Sequence, residues 1–261
     1  MEAAGINSYE FVDPDGKALP EFTAGAHIDV HIAPGITRQY SLCNDPEDRY
    51  RYVVAVLRED AGRGGSRGMH ETLRVASRVK VSVPRNNFSL ADGAQKVILL
   101  AGGIGVTPLK AMAHRLESLS IDYDLHYCAK GPEYAAFESE LSRIARVGKV
   151  YCHFDGGNPS NGLNIAKLLE SPAPDTHIYY CGPAGFMRAC ADAAAHWPRE
   201  LVHCEHFKAP ASPTATATAC NAPAKGYVVE LLRSGKTLTV ASDQNLAEVL
   251  QQCGALIETS C

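Results

Sequence analysis

Three features predict a multidomain chain in which an antiparallel β half precedes a parallel α/β half and a small third unit follows. Between Phe22 and Val83, short segments alternate apolar and polar residues: HIDVHI at 27–32, TRQYSL at 37–42, RYVVAVL at 51–57 and VKVSV at 79–83. That period and spacing suit an antiparallel barrel or sandwich, interrupted by one short helix over 66–73. Past Asp92-Gly93 the texture changes, and apolar runs at 97–101, 123–128, 150–154, 177–181 and 201–206 alternate with helix-length segments at 108–119, 134–146, 162–170 and 184–196. Such alternation is the pattern of a parallel α/β sheet. Finally, residues 209–226, APASPTATATACNAPAKG, have the composition of a semi-stiff tether with no face to bury. Beyond it, YVVELLRSGKTLTV reads as a hairpin around Ser234-Gly235, followed by an amphipathic helix over 245–252. A hairpin and one helix have too little core to fold well alone, so this terminal unit reads as incomplete. The division is therefore 1–92 for the β half, 93–208 for the α/β half, 209–226 for the linker and 227–261 for the partial unit.

Composition narrows the function classes. The 261 residues are 46% apolar and 21% charged, which excludes disorder and fibrous repeats, and the net charge of −4 supplies no attraction to nucleic acid or an anionic membrane. The longest apolar stretch, KVILLAGGIGVTPL at 96–109, is too short to span a bilayer and is broken by glycines, while the N-terminus lacks a basic start and an apolar h-region. A soluble cytoplasmic protein is expected. Nine cysteines occur with no CxxC pair, which argues against a disulfide framework or a tetrahedral zinc site; most read as small core residues.

The segment from Val97 to Pro108, VILLAGGIGVTP, runs strand, glycine turn and helix start. Gly102, Gly103 and Gly105 let the main chain approach a pyrophosphate, and Thr107 as N-cap with Pro108 at the first helical position announces a helix whose N-terminus attracts anions. The plainer reading is a tight βα turn, and Pro108 stands where the G-x-G-x-x-G fingerprint has its last glycine. At the end of the third strand, Asp155 could accept hydrogen bonds from ribose hydroxyls and repel a 2′-phosphate, favouring NADH over NADPH. Asp124, about twenty residues past the glycines, is the rival, and a simple turn-forming role for Asp155 stays open. Cys181, Gly182 and Pro183 close the fourth strand at the carboxyl edge, where ligands of open α/β sheets bind. Cys181 suits packing or polarising beside a nicotinamide. In the β half, Arg38 and Tyr40 share one face of a strand. The run from Arg63 to His70, RGGSRGMH, is a second glycine turn opening a helix with Ser66 as its expected cap. Two phosphate cradles suggest two nucleotides.

The ordered set of R-x-Y-S at Arg38, Tyr40 and Ser41, GRGGS at 62–66, PRNNF at 84–88, GGIGVTP at 102–108, CGP at 181–183 and H-x-E-x-F at His203, Glu205 and Phe207 resembles the ferredoxin-reductase-like flavoproteins. Within them it is most similar to the phthalate dioxygenase reductase group, which includes the vanillate demethylase reductase subunits. The resemblance covers nearly the whole chain. It implies a Greek-key barrel binding FMN, a parallel α/β module binding NADH and a partial β-grasp, plant-type [2Fe-2S] ferredoxin unit at the C-terminus. Carried over, Arg38, Gly65 and Ser66 would hold the FMN phosphate. Tyr40 and Ser41 would contact the isoalloxazine and ribityl chain, and Glu205 and Phe207 would lie beside the flavin. Ser41, Cys181 and Phe207 would serve the hydride step. Tyr40 and Phe207 also suit plain core aromatics, and Arg38 a solvated charge.

The implied activity is that of an NADH-dependent reductase, delivering electrons through the iron-sulfur centre to a terminal Rieske-type oxygenase, an aromatic-ring dioxygenase or O-demethylase. An FAD-type ferredoxin or flavin reductase, or a fragment binding nucleotide without electron relay, are the alternatives. The chain departs from the pattern at both ends. Plant-type clusters use Cys-x4-Cys-x2-Cys plus a distant fourth cysteine, and Cys261 stands in the place of the first ligand as the last residue. The cluster is therefore expected in the intact protein and not in this chain as written. The barrel's opening strand is likewise expected before Met1, which would leave an edge unpaired.

Overall fold

A computed structural model describes residues 1–62, 64–208, 226–232, 234–241 and 244–254. Residues Met1–Ala209 and Pro210–Cys261 form two units. In the first, the β half contains β1 (Ile6–Val12), β2 (His27–Ala33), β3 (Ile36–Ser41), β4 (Arg51–Leu57), α1 (Gly65–Thr72) and β5 (Lys80–Val81). Strands β3, β2 and β5 make one antiparallel sheet and β1 pairs with β4, a Leu42–Val54 bridge joining the two. Alternation decides which side is buried: Ile28, Val30 and Ile32 from β2 and Tyr52, Val54 and Val56 from β4 enclose Met69 of α1 in one apolar core.

β1 is a strand that the alternation pattern did not yield. It pairs with β4 over its full length, Ile6 opposite Leu57 through Val12 opposite Arg51. Asn7, Ser8 and Glu10 dilute its hydrophobicity, yet the period-2 pair Tyr9 and Phe11 and the following Asp13-Pro14-Asp15-Gly16 turn carry the signal.

The α/β half consists of β6 (Lys96–Gly102), α2 (Val106–Leu119), β7 (Asp122–Ala129), α3 (Glu138–Ile144), β8 (Lys149–Phe154), α4 (Ile165–Leu168), β9 (Thr176–Cys181), α5 (Ala184–Ala193) and β10 (Val202–Glu205). All five strands are parallel in the order β10-β9-β6-β7-β8. Chain order reverses between β6 and β9, which creates a crevice at their carboxyl ends. One sheet face, through Ile98, Leu100 and Ile178, packs on α4 and α5. The other, through Val97, Leu99, Ala101, Tyr179 and Cys181, joins α2 and side chains of the β half (Cys43, Val53, Ala55 and Phe88) in a shared core. The two halves thus bury apolar surface together.

Helix expectations needed correction at their ends. The 134–146 segment divides into a 3-10 turn at Pro132–Tyr134 and α3, because Phe137 adopts a left-handed φ of 64°. The 162–170 segment shortens to α4, capped by the Asn164 side chain on the Lys167 amide at 3.0 Å.

In the second unit, β11 (Tyr227–Leu231) and β12 (Lys236–Val240) form an antiparallel hairpin, and α6 (Leu246–Gln252) starts at Asn245, whose side chain accepts from the Ala247 amide. All but Gly226 of the expected tether over 209–226, together with Arg63 and Cys261, lies outside the described residues. No helix among the described residues is long and apolar enough to cross a membrane.

Candidate functional site

The glycine turn after β6 is shaped by what stands behind it. A Cβ on Gly105 would lie 2.2 Å from the Cys181 carbonyl oxygen, and one on Gly102 would lie 2.9 Å from both the Phe186 ring and Pro183. A Cβ on Gly182 would fall 2.7 Å from Phe186 and 3.0 Å from the Gly102 main chain. The two turns at the switch point therefore pack backbone to backbone, and glycine is a steric requirement there. Gly103 differs: its φ is +52° and a Cβ would meet nothing within 4 Å, so this main chain faces open space. A 3-10 turn, Gly103–Gly105, runs directly into α2. The helix thereby begins before Thr107, which is not its N-cap; Gly105 holds that position, and the Thr107 hydroxyl donates to the Ile104 carbonyl at 3.1 Å. Pro108 sits at the third helical position, where its missing N–H still leaves no helical bond unmade.

Cys181 is fully buried in the core shared by the halves, and burial, reinforced by the neighbouring Glu205 carboxyl, pushes its thiol up. A buried neutral thiol packs; it is no nucleophile. Asp155 ends β8 at the same edge, with Oδ1 accepting from the Gly157 amide at 2.6 Å, and both Gly156 and Gly157 have positive φ with open space at the Cβ position. Its rival Asp124 lies at the start of β7, the opposite end of the sheet, and is paired with Lys96 at 3.0 Å. Of the two, Asp155 is the one that the fold brings to the carboxyl edge of the sheet.

The second cradle is in the β half. Gly64 precedes α1 with φ +81° and open space around it, and a Cβ on Gly65 would run into the Arg38 side chain at 2.4 Å from Cγ. Arg38 therefore lies along the first turn of α1, a cation beside exposed helix amides. Ser66 is not the cap. Its hydroxyl accepts from the Glu59 amide at 3.0 Å and so ties the helix start to the preceding loop. Lys208, just past Phe207, reaches the Glu59 carboxylate at 2.8 Å.

Between the cradles, β3 ends at Ser41, whose hydroxyl donates to Glu205 Oε2 at 3.3 Å. Burial pushes the Glu205 carboxyl up to about 7, the Ser41 contact only partly offsetting it. Tyr40 is half-buried, its phenol pushed up to about 12 by burial, and Phe207 is 43% exposed. Ser41 and Glu205 thus meet where the end of β3 touches β10, whose Glu205 pairs with Cys181 at the carboxyl end of β9; Tyr40 precedes Ser41 on β3, and Phe207 follows two residues past Glu205. Among the described residues no group of three or more His, Cys, Asp or Glu side chains could hold a metal ion, and Cys253, the described cysteine of the second unit, is exposed.

Comparison with known proteins decides the family. No family model matches the chain. The reductase subunit of the tert-butanol monooxygenase / tert-amyl alcohol desaturase of Aquincola tertiaricarbonis is 52% identical over 264 residues, covering 100% of this chain and 78% of that protein. Vanillate O-demethylase oxidoreductase of Pseudomonas putida is 42% identical over 262 residues, covering 100% and 80%. The solved structure of phthalate dioxygenase reductase, described as modular for electron transfer from pyridine nucleotides to [2Fe-2S], superposes with a TM-score of 0.78 at 37% identity, covering 100% of this chain and 79% of that one. The chain belongs to the phthalate dioxygenase reductase family. Membership in this family of oxygenase reductases accounts for the joint order of the two cradles and the H-x-E-x-F strand. A residue that pattern reading passed over also lies at the junction of the halves of this family member: Lys110, 3% exposed on α2. Its signal was its place within the apolar stripe Val106, Leu109, Ala113.

Proposed function

We propose that this chain is an NADH-dependent flavoprotein reductase that takes a hydride from NADH onto FMN and supplies electrons to a terminal Rieske-type oxygenase acting as an aromatic-ring dioxygenase or O-demethylase. The observation that carries the reading is the Ser41–Glu205 contact: it places the R-x-Y-S strand end against the crevice where the glycine turn opens. FMN, when bound, accepts two electrons as hydride and can release them singly. The first turn of α1 at Gly65 and the Arg38 guanidinium hold its phosphate by charge-assisted hydrogen bonds, with Ser66 keeping that turn in place through Glu59. Tyr40 and Phe207 offer aromatic surface to the rings, and Ser41 offers a hydroxyl.

On the nucleotide side, the open main chain of Gly103 and the start of α2 at Gly105 receive the pyrophosphate, while the remaining Asp155 oxygen binds ribose hydroxyls and disfavours a 2′-phosphate. Thr107 and Pro108 stiffen the first turn of α2, and Cys181, Gly182 and Pro183 form the wall that keeps it in position. Hydride transfer needs no acid or base, so these residues act by orientation. Burial keeps the Glu205 carboxyl partly protonated near neutral pH, with Ser41 donating to its Oε2. Among the described residues no cluster of cysteines supplies a ligand set for an iron-sulfur centre. An NADH-driven role places the protein in the cytoplasm.

Stopped-flow mixing of flavin-loaded protein with NADH tests the reading: flavin absorbance bleaches in a saturable step, and NADPH is a far poorer reductant. Absence of bleaching overturns it.

A further inference from the structure

Resting on that reading, we propose that Lys110 is a positioning residue for hydride transfer, its buried ammonium fixing the main chain just past Ser41 to the helix that opens at the nucleotide cradle.

Lys110 is the fifth residue of α2, on a helix face buried against the β half. Its Nζ donates to the Cys43 carbonyl at 2.9 Å and to Glu140 Oε1 of α3 at 2.8 Å, and lies 4.7 Å above the Phe137 ring. One ammonium therefore touches the exit of β3, α3 and the turn before α3. The Cys43 end is stiff. The Cys43 amide and thiol both donate to the Val53 carbonyl, at 2.8 and 3.3 Å, and Asn44 exchanges side-chain bonds with Val53 and Arg51 of β4 at 2.9 and 3.0 Å. The Glu140 end is also fixed as an anion, because the His114 imidazole, 3.9 Å away, and Lys110 hold its carboxyl down to about 2.

Cys43 is the second residue past Ser41, which touches Glu205, and Lys110 is the fifth past Gly105, whose turn packs on Cys181. The Lys110 bond thus closes a short loop that leaves the glycine turn of α2, passes through Ser41 and Glu205 and returns to that turn at Cys181. Apolar contacts in the shared core hold the halves together without fixing direction, whereas an N–H···O bond on a buried charge has a preferred line. A misplacement of 1 Å between reacting atoms can cost about 100-fold in rate. A cavity of about 170 Å³, lined by Lys110, Glu140, Asn44 and Asp45 among others, lies alongside, so an unpinned junction has space to shift.

The test separates position from mere stability. Lys110→Met leaves the half-buried Glu140 carboxylate with His114 alone, its 2.8 Å partner gone, and lowers the thermal midpoint. Lys110→Met combined with Glu140→Gln removes both charges and restores most of that midpoint, yet the limiting rate of NADH-driven flavin bleaching stays 10- to 100-fold below the parent chain. Binding constants for FMN and NADH stay within about threefold. In flavin-free protein, amide exchange at Cys43, Asn44 and Val106 accelerates in both variants. A double variant whose limiting rate lies within twofold of the parent, or whose exchange is unchanged, overturns the proposal. If the parent chain itself fails to bleach, the functional reading falls, and exchange in the flavin-free protein still decides whether Lys110 fixes the junction.

Discussion

The two glycine turns that we propose as anion cradles use the same local chemistry and are held in different ways. At the start of α2, glycines are jammed against the Cys181 carbonyl, Pro183 and Phe186, so the loop is positioned by contact with a strand that is itself in the core. At the start of α1, the glycine turn is positioned by side chains: the Arg38 stem packed along Gly65, and the Ser66 hydroxyl accepting from the Glu59 amide. A packed cradle resists change until it breaks, whereas a tethered one loses affinity by degrees.

Gly105→Ala carries the largest expected effect. Its methyl would lie 2.2 Å from a main-chain oxygen that cannot move without disturbing β9, and urea unfolding should show a loss of roughly 2–3 kcal/mol with NADH-driven bleaching abolished. Arg38→Ala should leave the unfolding midpoint nearly unchanged and weaken FMN binding about 10- to 100-fold, read by flavin fluorescence titration, since one charge-assisted contact is worth about 1.5–3 kcal/mol. If Arg38→Ala unfolds the protein and Gly105→Ala does not, the contrast between the cradles is wrong.

Between the cradles, Glu205 gives a pH signature. Its folded pKa is raised, so its contribution to stability is present below the unfolded value near 4.5 and is lost as pH rises through about 7. The thermal midpoint should fall across that window, and Glu205→Gln should flatten the fall. Ser66→Ala is the smallest change expected, about 1 kcal/mol in stability with a few-fold loss of FMN affinity, because it frees one loop amide.

The period change near residue 93, the glycine turns and the five strands of the parallel sheet were legible because each follows from local pattern, whereas the order of those strands in the sheet came only from the structure. The capping arrangement was not, since Thr107 and Ser66 are capping residue types whose hydroxyls found other partners once the turns were set by packing. β1 was hidden because half its residues are polar and only its pairing with β4 makes it a strand. Lys110 was hidden for the converse reason: a lysine in a helix reads as solvated, and only the arrival of Cys43 and Glu140 from elsewhere in the chain explains its burial.

The open ground around Gly156 and Gly157 has a practical corollary. Because no neighbouring atom depends on the Asp155 turn in the way β9 depends on Gly105, that loop is where coenzyme preference could be retooled toward the phosphorylated dinucleotide. Cationic substitutions there would leave the scaffold intact, whereas the same ambition pursued at the glycine turn would cost the fold.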